Sequence, residues 1–347
     1  MENNNIKMNK KVTIKDVAKE AGVAISTVSN ALNGSDLVNE ETRSKILGVA
    51  EKLNYTPNLN GRFLKSCKTN MIGFITSSIR GQYFTVLADA MSRECDKLGY
   101  TLNIVVTRDK NMIMNHVLGK SYDGIFIFEG ERITEQDIDI IERNNIKTVM
   151  LDRVCQRSNI GSVVFNSYKA GYDATKYLIN MGHKCIYFIE GADDVYDSCE
   201  RKRGYLAAMK DYNLEVKDYY IFNGLFEDMV TYNAVITLLR IQQMKLPDAF
   251  IAGNDLSAIG CMKALNSLGY NIPGDISVVG FDDIEIASYY SPSLSTIRNP
   301  IDRQGTVAFK MMYRMINEEY SGKTEILDGE LIPRNSSGLF HRTDRLV

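Results

Sequence analysis

Apolar positions over the first 55 or so residues recur at helical spacing, and no strand-like run separates them. Ile14, Val17, Ala18 and Ala21 fall at i, i+3, i+4 and i+7, the stripe of an amphipathic helix. Thr13, with Asp16 three residues on, suits its start, and Gly22 ends it. A second helix from Ile25 to Leu32 turns Val28, Ala31 and Leu32 inward before Asn33-Gly34 breaks the chain. A third begins near Asn39, carries Ile46, Val49, Ala50 and Leu53, and stops before Pro57. Three short helices then share one small core. Asn58 to Lys65 reads as about two further helical turns, but with Asn60 and Gly61 inside it this segment is too short to stand alone. It is expected to fold only against a partner.

Beyond Ser66 the pattern changes to apolar runs of strand length alternating with amphipathic stretches. The runs are Met71 to Ile75, Thr101 to Val106, Gly124 to Phe128, Lys147 to Leu151, Val163 to Phe165, Cys185 to Ile189, Ala249 to Ala252 and Ser277 to Val279. That rhythm predicts βαβ units with parallel sheets. The stretch is too long for one six-stranded sheet, and the joint Leu98-Gly99-Tyr100 returns as Leu268-Gly269-Tyr270, so two similar α/β lobes are expected.

Composition narrows the class. The 347 residues are 44% hydrophobic and 24% charged, with six prolines, which excludes long disorder and fibrous repeats. A net charge of −2 argues against a basic sleeve over the whole protein. The basic excess is local, since Met1 to Asn70 holds 11 Lys/Arg against 7 Asp/Glu. No apolar run approaches the roughly 18 residues of a membrane helix, and Met1 to Lys11 has no apolar core of a signal peptide. A cytoplasmic protein with no membrane partner is expected. Six scattered cysteines without C-x-x-C, and only three histidines, predict free structural thiols and no metal site. His183 follows Gly182 in a turn, without a nucleophile at motif spacing, and reads as structural.

The N-terminal spacing carries chemistry. Gly22 between two short helices is a helix-turn-helix layout, whose second helix can lie in a major groove. Its outer face would show Ala24, Ile25, Ser26, Ser29 and Asn30. Ser26, Thr27 and Ser29 can hydrogen-bond phosphates, Asn30 matches adenine N7 and N6, and Ile25 can touch a thymine methyl. A purely structural or protein-binding helical module fits the spacing as well.

These residues resemble the headpiece of the lactose-repressor (LacI/GalR) family. The resemblance runs through Thr13-Ile14-Lys15-Asp16-Val17-Ala18, Ala21-Gly22-Val23, Ser26-Thr27-Val28-Ser29, Leu32-Asn33-Gly34 and Tyr55-Thr56-Pro57-Asn58. It implies Ile25, Ser26 and Asn30 as base readers, and Thr27, Ser29 and Asn33 as phosphate contacts. Tyr55 and Asn58 join the DNA-binding set, and residues 58 to 65 become a hinge helix whose Leu64 wedges into the minor groove. Three positions depart from the family pattern. Ala24 replaces a usual Ser, removing a helix cap worth roughly 1 kcal/mol. Asn30 stands where Arg is common, which changes the expected base from guanine to adenine. Gly61 replaces a usual Ala in the hinge.

In open α/β folds ligands bind beyond the carboxyl ends of strands. Asp152-Arg153, Asn166, Glu190, Asn254-Asp255 and Asp282-Asp283 follow the apolar runs, and Arg201 opens a helix. Such forked donors and acceptors suit vicinal hydroxyls. The resemblance continues through Asp123-Gly124-Ile125, Leu151-Asp152-Arg153, Ala252-Gly253-Asn254-Asp255 and Ile272 to Asp283. It implies a body like a periplasmic sugar-binding protein, with a small effector held by Arg153, Asn166, Arg201, Asn254 and Asp282 against Tyr83, Phe84 and Phe226. Gly81-Gln82-Tyr83-Phe84 replaces a common Asn-Pro-Phe-Phe, and Asn166 replaces a usual Asp. No G-x-G-x-x-G, G-x-x-x-x-G-K-[ST] or H-E-x-x-H occurs, so no cofactor, catalytic residue or enzymatic activity is expected.

The expectation is an α/β protein with an all-helical helix-turn-helix headpiece (1–57), a hinge (58–68) and a two-lobed, periplasmic-binding-protein-like body of parallel sheets (69–347). It would be a homodimeric repressor on near-palindromic double-stranded operator DNA, controlled by a sugar-like effector. A soluble sugar-binding protein without a DNA role is the alternative.

Overall fold

Among its described residues, the smaller of two compact units, Met1–Thr69, is built from three helices. At the start of α1 (Ile14–Ala21) the Asp16 carboxylate accepts from the N–H (2.8 Å) and the hydroxyl (2.7 Å) of Thr13. Gly22, with φ +69°, ends it in a left-handed turn that a side chain would disfavour. α2 (Ile25–Leu32) starts from Ala24, which has no side-chain oxygen to accept from the first turn. α3 (Glu40–Lys52) is capped by Asn39, which accepts from the Thr42 N–H at 2.8 Å. Val17, Ala18, Ala21, Val28, Ala31, Val38, Ile46 and Ala50 are buried together; of the expected stripes Ile14, Leu32, Val49 and Leu53 are only partly buried against them, and Val38 joins from the intervening loop. The computed structural model describes residues 12–56, 68–129, 132–241 and 245–340.

The second unit, Asn70–Val347, contains two six-stranded sheets. β1 (Met71–Thr76), β2 (Thr101–Val106), β3 (Gly124–Phe128), β4 (Thr148–Met150), β5 (Ile160–Phe165) and β11 (Thr324–Leu327) join in the order β11-β5-β4-β3-β1-β2, all parallel. α4 (Gln82–Lys97) and α12 (Ile301–Asn317) cover one face of this sheet, while α5 (Lys110–Leu118) and α6 (Glu135–Arg143) cover the other.

In the second sheet β6 (Ile186–Glu190), β7 (Ile221–Asn223), β8 (Ala249–Ala252), β9 (Ser277–Phe281), β10 (Ser295–Arg298) and β12 (Glu330–Ile332) run β12-β10-β9-β8-β6-β7. Only β12 is antiparallel to its neighbour. α7 (Ser167–Asn180) and α8 (Tyr196–Asp211) pack on one face; α9 (Asp228–Leu239), α10 (Asp255–Ser267) and α11 (Glu285–Tyr289) pack on the other. Strands covered on both sides read as continuous apolar runs, which is why most were visible in the sequence. β7, β10, β11 and β12 were not, because three or four residues of mixed polarity make no run.

The chain passes between the lobes three times, from β5 to β6, from β10 to β11 and from β11 to β12. Both lobes are therefore made of discontinuous sequence. α7 and α8 meet backbone to backbone: a Cβ on Gly171 would fall on the Arg201 carbonyl, and one on Gly204 on the Tyr168 carbonyl.

Candidate functional site

On α2 the inward side is Val28 and Ala31, while Ile25 is 45% exposed and Ser26 is exposed beside it. Thr27, Ser29 and Asn30 are half-buried, and Asn33 at the carboxyl end is exposed. The helix carries no acidic residue in its first turn, so its outer face offers hydroxyl, amide and methyl groups without a charge that would repel phosphate. Tyr55 packs its ring partly against the small core. The expected contacts Asn58 and Leu64 lie outside the described residues, as does most of the expected hinge.

In the larger unit, loops after β1, β2, β3, β6, β7, β8 and β9 line a cleft of about 590 Å³. Tyr83, Phe84, Arg201, Phe226, Asn254 and Asp282 all stand on its wall. Tyr83 and Phe84 meet edge to face at 5.2 Å, and Phe84 meets Phe128 at 5.1 Å. The Tyr83 hydroxyl donates to Gln304 Oε1 at 2.8 Å. Gln304, fully buried on α12, donates in turn to the carbonyls of Leu151 (2.9 Å) and Val163 (2.8 Å). Burial, reinforced by the charges of Asp197, Asp282 and Asp152, pushes the Tyr83 pKa up, so its hydroxyl remains a donor.

Leu225 and Phe226 take left-handed backbone (φ +54° and +60°), rare for such residues, and this lays the Phe226 ring over Gly191. Asn254 caps α10 by accepting from the Ser257 N–H (2.9 Å) and donates to the Phe226 carbonyl (3.1 Å). Arg201, 4% exposed, donates to the Gly253 carbonyl and to Asp282 (3.5 Å), and its guanidinium lies 4.7 Å from the Phe281 ring centre. Asp282 also accepts from Asn299 Nδ2 at 2.9 Å. Burial raises the Asp282 pKa and the Arg201 charge partly opposes it. Behind it, fully buried Asp255 accepts from Thr296 (2.6 Å) and the Ile284 N–H (2.9 Å), and its pKa is raised well above the usual value by burial and then by Asp282.

Two expected residues are not brought into this cleft. Arg153 donates to the Ile133 carbonyl and to Glu135, both at 2.7 Å, and lines an adjoining cavity of about 610 Å³ that shares Ser77, Phe84, Phe128 and Val195 with the cleft. Asn166 lies outside both walls: its amide caps α7 by accepting from the Lys169 N–H (3.2 Å) and donates to Asp328 (2.9 Å). A strand-end amide that precedes a helix is drawn into the cap. Sequence reasoning passed over Arg80, Gln82, Arg108 and Asp197, which line the cleft. Arg108 stands two residues beyond the run ending at Val106, so the same strand-end rule reaches it. Gln82 accepts from the Glu285 N–H of the other lobe at 2.5 Å. His183 is buried, meeting the Gly338 carbonyl at 3.0 Å and Phe340 at 5.4 Å. Among the described residues no helix is long and apolar enough to cross a membrane, and no His/Cys/Asp/Glu cluster could hold a metal.

A three-helix unit with an acid-free outer helix, followed by a two-lobed body with a polar cleft, defines a DNA-binding regulator of transcription. Residues 13–58 match the family model of bacterial regulatory proteins of the lacI family, and residues 175–337 match a periplasmic binding protein-like domain. The probable HTH-type transcriptional repressor ExuR of Bacillus subtilis is 35% identical over 329 residues, covering 94% of this chain and 98% of that one. The HTH-type transcriptional repressor PurR of Photorhabdus laumondii is 35% identical over 331 residues, with 93% and 96% covered. The structure of the Lac repressor bound to ONPG in the repressed state superposes with a TM-score of 0.80 at 25% identity, over 94% of this chain and all of that one. The chain belongs to the lacI family of bacterial regulatory proteins.

Proposed function

We propose that the protein is a cytoplasmic repressor, acting without catalysis, in which residues 1–57 bind operator DNA, 58–68 form a hinge and 69–347 bind a small hydroxyl-rich effector. The observation that carries this reading is α2, held by Val28 and Ala31 while Ile25 and Ser26 are exposed and Asn30 is half-buried on an acid-free surface. In a homodimer two such helices would occupy the half-sites of a near-palindromic operator. Thr27, Ser29, Asn33, Tyr55 and Asn58 would position the headpiece on the backbone, and Leu64 would wedge into the minor groove. In the cleft, Arg201, Asn254 and Asp282 offer paired donors and acceptors between Tyr83, Phe84 and Phe226, a composition suited to sugar hydroxyls over apolar ring faces. Arg153 would reach a longer ligand through the adjoining cavity. Effector and operator would alter each other's affinity by the same factor, typically 1 to 3 kcal/mol.

Operator selection from random palindromic DNA tests the DNA half of the reading. It should return adenine opposite Asn30, and Asn30→Ala should cost about 1 to 3 kcal/mol on the selected site while leaving nonspecific binding intact. Equal loss on every sequence, or no sequence preference at any salt concentration, would remove the assignment.

A further inference from the structure

The wall of the cleft contributed by the first lobe is more basic than hydroxyl recognition requires. Arg80 and Arg108 lie beyond the ends of β1 and β2, whose last residues pair as Thr76 with Val106, so the two arginines leave one edge of one sheet. Both are exposed and both line the cleft. Among the described residues neither guanidinium pairs with a carboxylate, whereas Arg93, Arg153, Arg157 and Arg298 all do. Two cations lining one cleft without a carboxylate partner favour an anion there.

Two further features of the same cleft point the same way. The 16-residue helix α4 starts there from Gly81, which supplies no side-chain acceptor, and its first turn holds no acidic residue, so its positive end is left for a ligand. On the facing lobe, Arg201 Nε is buried without a hydrogen-bond partner, although the other two guanidinium nitrogens are engaged. Of the carboxylates that this lobe brings to the cleft, Asp282 meets Arg201 and Asn299, Asp228 meets Lys263 and Asp197 accepts from the Ser167 hydroxyl, while Glu227 stands on the same wall. They serve as acceptors for hydroxyls and leave the first lobe's arginines uncompensated.

We propose that the effector is an acidic sugar, whose carboxylate or phosphate is held between Arg80, Arg108 and the start of α4 while its hydroxyls face Asn254 and Asp282. The proposal rests on the cleft being the effector site. Forked guanidinium donors match either anion bidentately, and an anionic ligand would be drawn to the mouth before contact is made.

Titration calorimetry on the intact protein tests it with matched sets of neutral hexose, hexuronate and hexose 6-phosphate in the gluco, galacto and manno configurations. One acidic member should bind at least about tenfold more tightly than its neutral counterpart, weakening as KCl is raised. Replacing both arginines (R80Q with R108Q) should erase that preference, with the melting temperature checking that the fold is kept. Whether uronate or phosphate wins identifies the anion. The proposal is overturned if a neutral hexose binds as tightly as its acids, or if the double variant keeps the preference. Binding of neutral hexoses alone, lost in D282N, would sink the acidic ligand and leave the cleft reading standing; no D282N-sensitive binding by any of the nine compounds would remove both.

Discussion

The two units present their recognition surfaces in opposite ways. In the three-helix unit the surface is one helix, and the residues that face outward lie within nine positions of one another, Ile25 to Asn33. Eight buried residues hold it, so the surface is only as reliable as that small core. In the two-lobed body the surface is the gap between two sheets. Its walls come from positions as distant as Tyr83 and Asp282, and Tyr83, Arg201, Asn254 and Asp282 are fixed by hydrogen bonds as much as by packing. A contiguous surface can change specificity one residue at a time; an assembled one answers to every loop that borders it.

The largest expected effect separates the two units. Ile46 is fully buried in the small core, and Ile46→Ala should cost about 2 to 5 kcal/mol, a large share of what a domain of this size possesses. Calorimetry should show the first transition lost and the second kept, with operator binding abolished and effector binding retained. Coincident loss of both would merge the units into one folding block.

Gln304→Leu attacks the other mode. It strands the carbonyls of Leu151 and Val163 and the Tyr83 hydroxyl, three partners of one buried amide. A cost of about 2 to 4 kcal/mol follows from unsatisfied buried groups, read as a lower melting temperature of the body alone together with weaker effector binding. An unchanged effector affinity would show that the position of Tyr83 does not depend on this amide.

The pH response should also come from the body. Asp255 has a folded pKa raised by burial and by Asp282, so the native state holds a proton that the unfolded chain releases near pH 4. Its contribution to stability is complete below that pH and is lost as pH rises toward the folded value. Relative to wild type, Asp255→Asn should therefore gain stability as pH is raised from about 3 to 6, since the amide cannot ionise. A constant difference between the two proteins across that range would contradict the burial argument.

The smallest effect returns to α2. Ala24→Ser would supply the missing cap, adding about 0.5 to 1 kcal/mol to the three-helix unit and one hydroxyl to its outward face. Chemical denaturation followed on that unit's helical signal would read it.

The same contrast explains what could be read from the sequence. The small unit was legible almost residue by residue, because helix periodicity, Thr13, Gly22 and the Asn33-Gly34 break are local signals and its core is the sum of three stripes. The body was legible as architecture, since buried parallel strands make long apolar runs, and the rule of strand ends found Asn254 and Asp282. That rule cannot tell a ligand group from a cap, which is why Asn166 was placed in the cleft when it serves α7. Nor could it find Gln304, which sits in the first turn of α12, more than 200 residues from Tyr83. Such a partnership exists only once the chain has crossed between the lobes.

The contact between α7 and α8 sets the mechanical character of the second lobe. Because Gly171 and Gly204 let the two backbones interlock, neither helix can slide along the other without collision, and Arg201 rides on that fused pair. A molecule held by this arginine therefore bears on two helices in backbone contact as well as on the strand end at Gly253, where the same guanidinium donates.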